Sequence, residues 1–530
     1  MNPQTLTTLD ASIIGLYFVV TIAVGLWFAS RWKGSEDFFL AGRSLTWPII
    51  GLSLFATNIS TEHFVGLAAG GYKEGLVQGG YEWMASYCIL MLAAVFAPQY
   101  LKHKVFTIPE FFEKRFGVEA RVSLTFYFLA MIILTKTSVA FYSGTLVLVD
   151  LTGWDFQTTL WGIGIVTALY TMVGGLAAVV YTDALQALIL IAGSVILTGI
   201  GLHEVGGWDA LTAKLDAAGK TELLSMVKGP THELPFSGFL LGNFLIGGMF
   251  YWCMDQVNVQ RVLGAKNVRE ARLGAVFAAF LKIIPVFILV LPGVIAAALW
   301  TDIEEPNKTY ATLVQRLLPP GLRGLVLAAL LAALMSSVSS MFNSASTLVA
   351  RDLVARFRPE TSPRKQIWIG QIALVAVMVG GILVTPAIGY YKHIWDYLQE
   401  VTGYLSVPFA VVGLSGILMR RANKPGGLAA VVAGIGAGAF FFWDAHWGGL
   451  LTTPYLHSFL HRHFLCAVAS FTALVGVSLC TPPPPAAVLQ GSFQFRFAAG
   501  EGESPRDFRV AKVWMLILFA LVTALWWTFR

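Results

Sequence analysis

Apolar residues run along this chain in windows of about 20, separated by shorter polar segments. About 20 apolar residues in a helix are what the hydrocarbon core of a bilayer requires. Such windows centre near residues 21, 59, 90, 132, 164, 190, 248, 286, 337, 376, 406, 434, 470 and 520. The pattern therefore predicts an all-α integral membrane protein with about 14 transmembrane helices.

The composition supports this class, with 56% hydrophobic and 12% charged residues, and it excludes an ordinary soluble globule. The net charge of +6 does not indicate a nucleic-acid partner, because the basic residues cluster in alternate loops between apolar windows. Such loops are cytoplasmic by the positive-inside rule. With an even number of spans, we predict a multi-pass protein of the cell membrane with both termini on the extracytoplasmic side.

The second window, Trp47 to Tyr72, is apolar at both ends but polar at its centre, in the run FATNISTEHF. Backbone groups at membrane depth must be hydrogen-bonded, so polar residues that favour helices weakly indicate local unwinding beside a protein-lined cavity. A broken helix of this kind provides a site for a small cation and a polar solute. The polar positions are Thr57, Asn58, Ser60, Thr61, Glu62 and His63.

The seventh window reads LLGNFLIGGMFYWCMDQ, with Gly247 and Gly248 in its middle. An interruption here would lie five spans after the first one, which is typical of an inverted repeat with a site near the membrane midplane. The alternative is that the two glycines only allow close helix packing.

Five further ionisable residues lie inside spans, where each costs roughly 2.5–3.5 kcal/mol on insertion scales and needs a partner or a function. They are Glu82, Lys136, Asp183, Asp255 and Lys282. Glu82 and Lys282 form either a shared polar solute site or a structural ion pair. We expect structural roles for Lys136 and for Asp255, whose expected partner is Arg261 or a neighbour.

The ninth window, LAALMSSVSSMFNSAS, places hydroxyl groups on one helix face at i, i+3 and i+4 spacing. The stripe serves either small-residue packing, with hydrogen bonds to the preceding turn, or a hard cation, which prefers hydroxyl and carbonyl oxygens. The spacing alone does not separate these two functions.

A balanced set of donors, acceptors and aromatic faces lies in or beside the polar windows. Such a set fits a neutral polyhydroxylated molecule, because each buried hydroxyl needs a partner and rings cover the C–H surface. An amino acid or a carboxylate is the alternative, since Lys282 could pair with it. The set comprises His63, Glu82, Tyr251, Trp252, Lys282 and Gln399.

Several long motifs in order resemble the sodium/solute symporter family, and within it the sodium/glucose cotransporter branch. Among them are DFFLAGRSLTWPIIGLSLFATNISTEHFVGLAAGGY, FYWCMDQVNVQRVLGAKN, LAALMSSVSSMFNSASTL and YLQEVTGYLSVP. The similarity covers roughly residues 36 to 420. It implies a LeuT-like core of two inverted five-span repeats with extra flanking helices.

The resemblance also implies how the chain is divided. The expected segments are an N-terminal extra transmembrane helix (1–35), the ten-helix transport core (36–424), two additional transmembrane helices (425–480), a Pro/Gly-rich cytoplasmic linker (481–511) and a C-terminal transmembrane helix (512–530).

Functional positions of the family can be carried over residue by residue. The implied sodium ligands are the carbonyls of Ala56, Ile59 and Ala333 and the hydroxyls of Ser336 and Ser337. The implied substrate residues are Asn58, His63, Glu82, Tyr251, Trp252, Lys282 and Gln399, with Tyr251 as the inner gate. The implied second sodium site or exit path comprises Thr57, Asp183 and Ser340.

The resulting expectation is a symporter, not an enzyme, because no metalloprotease-type HExxH or comparable constellation occurs. It would import a neutral sugar such as glucose or galactose, or a cyclic polyol, with sodium by alternating access. The alternative is another small organic solute: inositol, an amino acid, a nucleoside or a carboxylate. We expect it to work as a monomer in the lipid bilayer.

Overall fold

A computed structural model describes residues 7–29, 34–389, 394–490 and 497–530. Within these ranges the secondary structure is helical, apart from one isolated parallel bridge between Leu45 and Ala265. Twelve helices in the described ranges are long and apolar enough to cross a membrane. The all-α membrane class predicted from the hydrophobic pattern is confirmed.

The longer helices are given labels in chain order. They are α1 (Thr8–Ala29), α2 (Trp47–Asn58), α3 (Thr61–Lys73), α4 (Gly75–Lys102), α5 (Val118–Thr152), α6 (Phe156–Val205), α7 (Phe236–Cys253), α8 (Gln256–Leu263), α9 (Val268–Leu299), α10 (Leu322–Ala355), α11 (Pro363–Ile388), α12 (Ile394–Leu418), α13 (Lys424–Trp443), α14 (Phe459–Cys480) and α15 (Pro505–Thr528).

The described residues contain twelve helices of spanning length, whereas the sequence predicts about 14 spans. Two features explain this difference. Helix α6 is 50 residues long and contains two predicted windows, joined at Gly175, which has φ 58° and ψ −162°. A side chain at this position would also meet the Phe38 carbonyl oxygen, 2.6 Å from an added Cβ. The window at Trp47–Tyr72 forms two short helices, α2 and α3, of 12 and 13 residues.

Helix α10 lies at the centre of the molecule, with 94% of its most apolar window buried. It packs against α1, α2, α5, α6 and α11. Helices α1 and α15 are peripheral, with 17% and 22% of their windows buried, so their apolar faces are available to lipid. The serine stripe of α10 therefore faces protein on every side.

The predicted segment boundaries remain predictions. Parts of three segments lie outside the described residues: 1–6 and 30–33 of the N-terminal segment, 390–393 of the core, and 491–496 of the linker. The described end of the linker contacts α9, where Arg272 donates to the Ala498 carbonyl oxygen and pairs with Glu503, both at 3.1 Å.

Candidate functional site

The second window is interrupted where the sequence predicts. Helix α2 ends at Asn58 and α3 begins at Thr61, while Ile59 (ψ 101°) and Ser60 (ψ −177°) are extended. The carbonyl end of α2 and the amide end of α3 therefore meet inside the protein. Backbone groups released by the break can bind ligands of either charge.

Helix α10 contacts this break through its hydroxyl stripe. Ser337 Oγ lies 3.0 Å from the Thr57 carbonyl oxygen and 3.5 Å from the Ile59 carbonyl oxygen. Ala56 and Ala333, the other two predicted carbonyl ligands, are fully buried one turn earlier on α2 and α10. The Ser337 hydroxyl of α10 thus converges with carbonyl oxygens of the break.

A second polar cluster surrounds the buried carboxylate of Asp183 on α6. It accepts hydrogen bonds from Ser53 and Ser336 at 2.7 Å, from Thr57 at 3.3 Å and from Ser340 at 3.4 Å. The structure therefore brings Thr57, Asp183 and Ser340 together. Ser336 donates to Asp183, yet a hydroxyl that donates its proton keeps lone pairs for a cation.

Arg261 of α8 belongs to this second cluster, which the sequence interpretation did not foresee. Its guanidinium is fully buried, lies 3.5 Å from Asp183 and donates to Ser340. The expected partnership of Arg261 with Asp255 is therefore wrong. The sequence does not identify Asp183 as the partner of Arg261, because the two residues belong to α6 and α8, whose relative placement is decided by packing.

Lys136 of α5 is the actual partner of Asp255, with Nζ 2.6 Å from Oδ2. Asp255 also accepts the Val257 backbone N–H at 2.9 Å and so caps α8. The sequence predicts structural roles for both residues, and their opposite charges were a usable signal for pairing. The sequence does not show that the two spans are neighbours.

A cavity of about 120 Å³ opens beside the first break, and all seven predicted substrate residues line it. Lys282 donates to both Glu82 and Asn58, and Asn58 Nδ2 donates to Tyr251 Oη at 2.9 Å. The Glu82–Lys282 pair thus exists and also faces the cavity. A cavity of this size holds several water-sized groups.

The rest of the lining combines an imidazole with aromatic rings. His63 Nε2 lies 3.7 Å from Glu82 Oε1, and its Nδ1 accepts the Ser60 N–H at 3.4 Å. The His63 ring contacts Trp395 edge-on at 4.9 Å. Lys282 Nζ lies 5.5 Å from the centre of the Trp252 ring, within the range of a cation–π contact.

Other lining residues were not identified from the sequence. Trp395 lies one helical turn before Gln399, so that spacing was an available signal. Trp395 and Phe459 line both this cavity and a second cavity of about 470 Å³, and they lie between the two. The further polar lining residues include Glu62, Tyr127, Lys136, Asn243, Asp255, Thr402 and Ser406.

The interruption predicted at Gly247 and Gly248 is wrong in position. Both residues lie in a continuous helix, in wide π-type turns, and the chain leaves the helix only at Met254 and Asp255. An added Cβ at Gly248 would lie 2.9 Å from Cys88 Sγ. This glycine allows close packing, which was the alternative interpretation.

A family model described as the sodium:solute symporter family matches residues 38–434. The chain belongs to this family. Among curated relatives it is 36% identical to sodium/glucose cotransporter 1 of Ovis aries, with 89% of this chain and 79% of the relative covered. It is 38% identical to the sodium/myo-inositol cotransporter of Homo sapiens, with 82% and 67% covered.

Two solved structures are similar in fold. A Na⁺-coupled sialic acid symporter in a substrate-bound outward-open state matches with a TM-score of 0.77 at 20% identity, covering 90% of this chain and 99% of that one. Mhp1, a nucleobase-cation-symport-1 family transporter, matches with a TM-score of 0.56 at 14% identity, covering 86% and 97%. The protein is thus a multi-pass membrane protein with the LeuT-like fold.

Proposed function

We propose that this protein imports a neutral sugar or cyclic polyol together with sodium, by alternating access across the cell membrane. The observation that carries the proposal is the break between α2 and α3. On one side it offers carbonyl oxygens to the α10 hydroxyl of Ser337. On the other side it exposes Asn58 and His63 to the central cavity, so one deformation of the backbone can serve both ligands.

Five oxygen atoms would hold the sodium ion. They are the carbonyl oxygens of Ala56, Ile59 and Ala333 and the hydroxyl oxygens of Ser336 and Ser337. Neutral oxygens bind a monovalent ion weakly and reversibly, as transport requires. Because these atoms belong to α2 and α10, sodium would hold the two helices together and favour the conformation that binds the sugar.

A second sodium site, or the exit path, would lie at Thr57, Asp183 and Ser340. The Arg261 guanidinium, 3.5 Å from Asp183, partly neutralises the carboxylate. A sodium ion there would have to compete with Arg261 or displace it. This arrangement favours the role of an exit path, along which the ion must not be held tightly.

The polyol would be held by Asn58, His63, Glu82, Lys282 and Gln399, against the rings of Tyr251 and Trp252. The Glu82–Lys282 pair offers an acceptor and donors with balanced charge, which suits hydroxyl groups. Tyr251, fixed by Asn58 at 2.9 Å, would form the inner gate, and its release would open the cavity to the cytoplasm.

Both glucose and inositol are candidate substrates, because relatives named for each are similar to this chain to a comparable degree. The alternative function is sodium-coupled import of another small organic solute, such as an amino acid, a nucleoside or a carboxylate.

The driving force is sufficient for coupled import. A membrane potential of ~100 mV supplies roughly 2.3 kcal/mol per charge, and a tenfold sodium gradient supplies about 1.4 kcal/mol. One ion per cycle could therefore support accumulation of a few hundredfold.

Uptake into proteoliposomes tests the function directly. Labelled hexoses and inositols are offered with and without an inward sodium gradient, and unlabelled sugars and amino acids are used as competitors. We expect that uptake of at least one polyol depends on sodium and is not inhibited by amino acids. Uptake of amino acids alone, or polyol uptake that does not depend on the sodium gradient, would refute the proposal.

Substitutions in the cavity test the polyol site. We expect Gln399→Ala to raise the half-saturating polyol concentration about tenfold, since it removes one or two hydrogen bonds. Lys282→Ala should raise it further, because that change also leaves Glu82 buried without its partner. Gln315→Ala is the matched control, because Gln315 bonds the Asp150 carbonyl oxygen away from the cavity. If the half-saturating polyol concentration were unchanged in both cavity variants, the cavity would not be the polyol site.

The remaining features of the proposal concern the whole chain. The segments 1–35, 36–424, 425–480, 481–511 and 512–530 would have the roles that the family resemblance implies. The protein would act as a monomer without nucleic acid, with both termini extracytoplasmic. Accessibility of terminal tags to a membrane-impermeant reagent on intact cells tests the orientation, and protection of both tags would overturn it.

A further inference from the structure

The central cavity contains one acidic side chain that the proposed polyol site does not use. Glu62, on the first turn of α3, is only 6% exposed, and it lines the cavity. Its Oε2 accepts no hydrogen bond from the described part of the chain. A buried carboxylate oxygen without a donor is unfavourable, so this atom requires a donor or a cation.

His63 does not supply that donor. Its Nδ1 lies 3.8 Å from Glu62 Oε1, but the same nitrogen accepts the Ser60 N–H at 3.4 Å. A ring nitrogen that accepts a hydrogen bond carries no proton. The proton of the neutral ring is therefore on Nε2, which points towards Glu82.

The charges of the cavity do not balance. Lys282 is paired with Glu82, and Lys136 is paired with Asp255 at 2.6 Å. Both of these pairs line the cavity together with Glu62. With His63 neutral, the two lysines balance two of the three carboxylates, so an ionised Glu62 requires a further positive charge in the cavity.

We propose that Glu62 forms a subsite for the ammonium group of an aminated polyol, so that amino sugars or aminocyclitols are transported as well as neutral polyols. An ammonium group brings three donors and one positive charge, and it would satisfy Oε2 and balance the cavity at once. A hydroxyl group would donate to the same atom but leave the charge of an ionised Glu62 unbalanced. The inference depends on the proposed polyol function of the cavity.

The experiment compares a transported polyol with its amino-deoxy analogues. Purified protein in proteoliposomes takes up the labelled parent polyol, and a series of analogues, each with one hydroxyl replaced by an amine, competes at pH 7.5. We expect at least one analogue to compete about tenfold better than the unlabelled parent. In Glu62→Gln, which has the same shape without the charge, that advantage should disappear.

Two further variants control the result. Glu62→Asp keeps the charge and should retain part of the preference for the amine. Glu233→Gln removes an acidic group from the second cavity, where the Glu233 side chain is 70% exposed. This variant should leave the preference for the amine unchanged. If Glu62→Gln cannot transport, the same ratio is measured from the thermal stabilisation of purified protein by parent and analogue.

The outcomes separate this inference from the function on which it depends. Sodium-driven uptake of the parent without preference for any amine refutes the ammonium subsite alone. A preference that persists in Glu62→Gln, or a shift of the half-saturating sodium concentration without a change of the amine ratio, also refutes it. Absence of any polyol uptake by the unmodified protein refutes the proposed function itself.

Discussion

The two interrupted spans of this molecule differ in where the break lies relative to the residues that predict it. Between α2 and α3, the chain unwinds at Ile59 and Ser60, within the polar run predicted to unwind. In the seventh span, the glycine pair stays helical, and the chain turns at Asp255 instead, whose carboxylate accepts the Val257 N–H. Both breaks are therefore made by polar side chains, and the glycine pair does not make one.

This difference has a physical cause. Inside a membrane a helix satisfies its own backbone groups, so glycine alone gains nothing by leaving it. A side chain that can bond a free backbone group compensates for the lost helical bond. Gly248 has a different function, because its missing side chain leaves room for Cys88. Polar residues predict breaks in such spans better than glycines do.

Removing the charge that stabilises the second break should have the largest effect. Asp255→Ala leaves Lys136 unpaired and buried, which costs about 3–5 kcal/mol, and it also removes the cap of α8. We expect a large fall in the thermal unfolding midpoint in detergent and loss of uptake. Lys136→Met combined with Asp255→Asn should recover much of the stability.

The exposed Lys424–Glu119 pair, at 2.7 Å, provides the control. Lys424→Ala should cost less than 1 kcal/mol because solvent screens such pairs. If Asp255→Ala were as mild as Lys424→Ala, the second break would not depend on the buried pair.

Substitutions of the glycine pair distinguish packing from hinge motion. Gly248→Ala should destabilise the protein by about 1–3 kcal/mol, because a Cβ 2.9 Å from Cys88 Sγ overpacks the contact. At Gly247 the nearest atom is 3.4 Å away, so Gly247→Ala should be neutral or more stable by up to ~1 kcal/mol. Thermal unfolding and uptake are measured together. Loss of uptake in a stable Gly247→Ala protein would indicate a hinge.

A modest effect is expected at the first break, where one hydroxyl contacts two carbonyls. Ser337→Ala removes one sodium ligand worth roughly 1 kcal/mol and should raise the half-saturating sodium concentration about fivefold. Ser339→Ala is the matched control, because the Ser339 hydroxyl donates to the Ser336 carbonyl oxygen of its own helix and not to the break. An unaltered sodium titration in Ser337→Ala would remove this hydroxyl from the ion site.

Much of the fold was predictable from local pattern. Apolar windows of a fixed length identify spans whatever surrounds them. The chain unwinds at Ile59 and Ser60, inside the polar run, where the His63 ring accepts the Ser60 N–H. Residues around the central cavity were also identified, since Glu82, Lys282 and Gln399 are costly or unusual inside a span. Family motifs supplied the grouping of these residues into one site.

The sequence by itself determined the membrane class, the first break and which charges are buried. Only the tertiary structure decided that Lys136 pairs with Asp255, 119 positions away, that Arg261 pairs with Asp183, and that Glu62 has no donor for Oε2 among the described residues. The reason is that hydropathy depends on each residue alone, whereas pairing depends on how separate helices rotate and pack against one another.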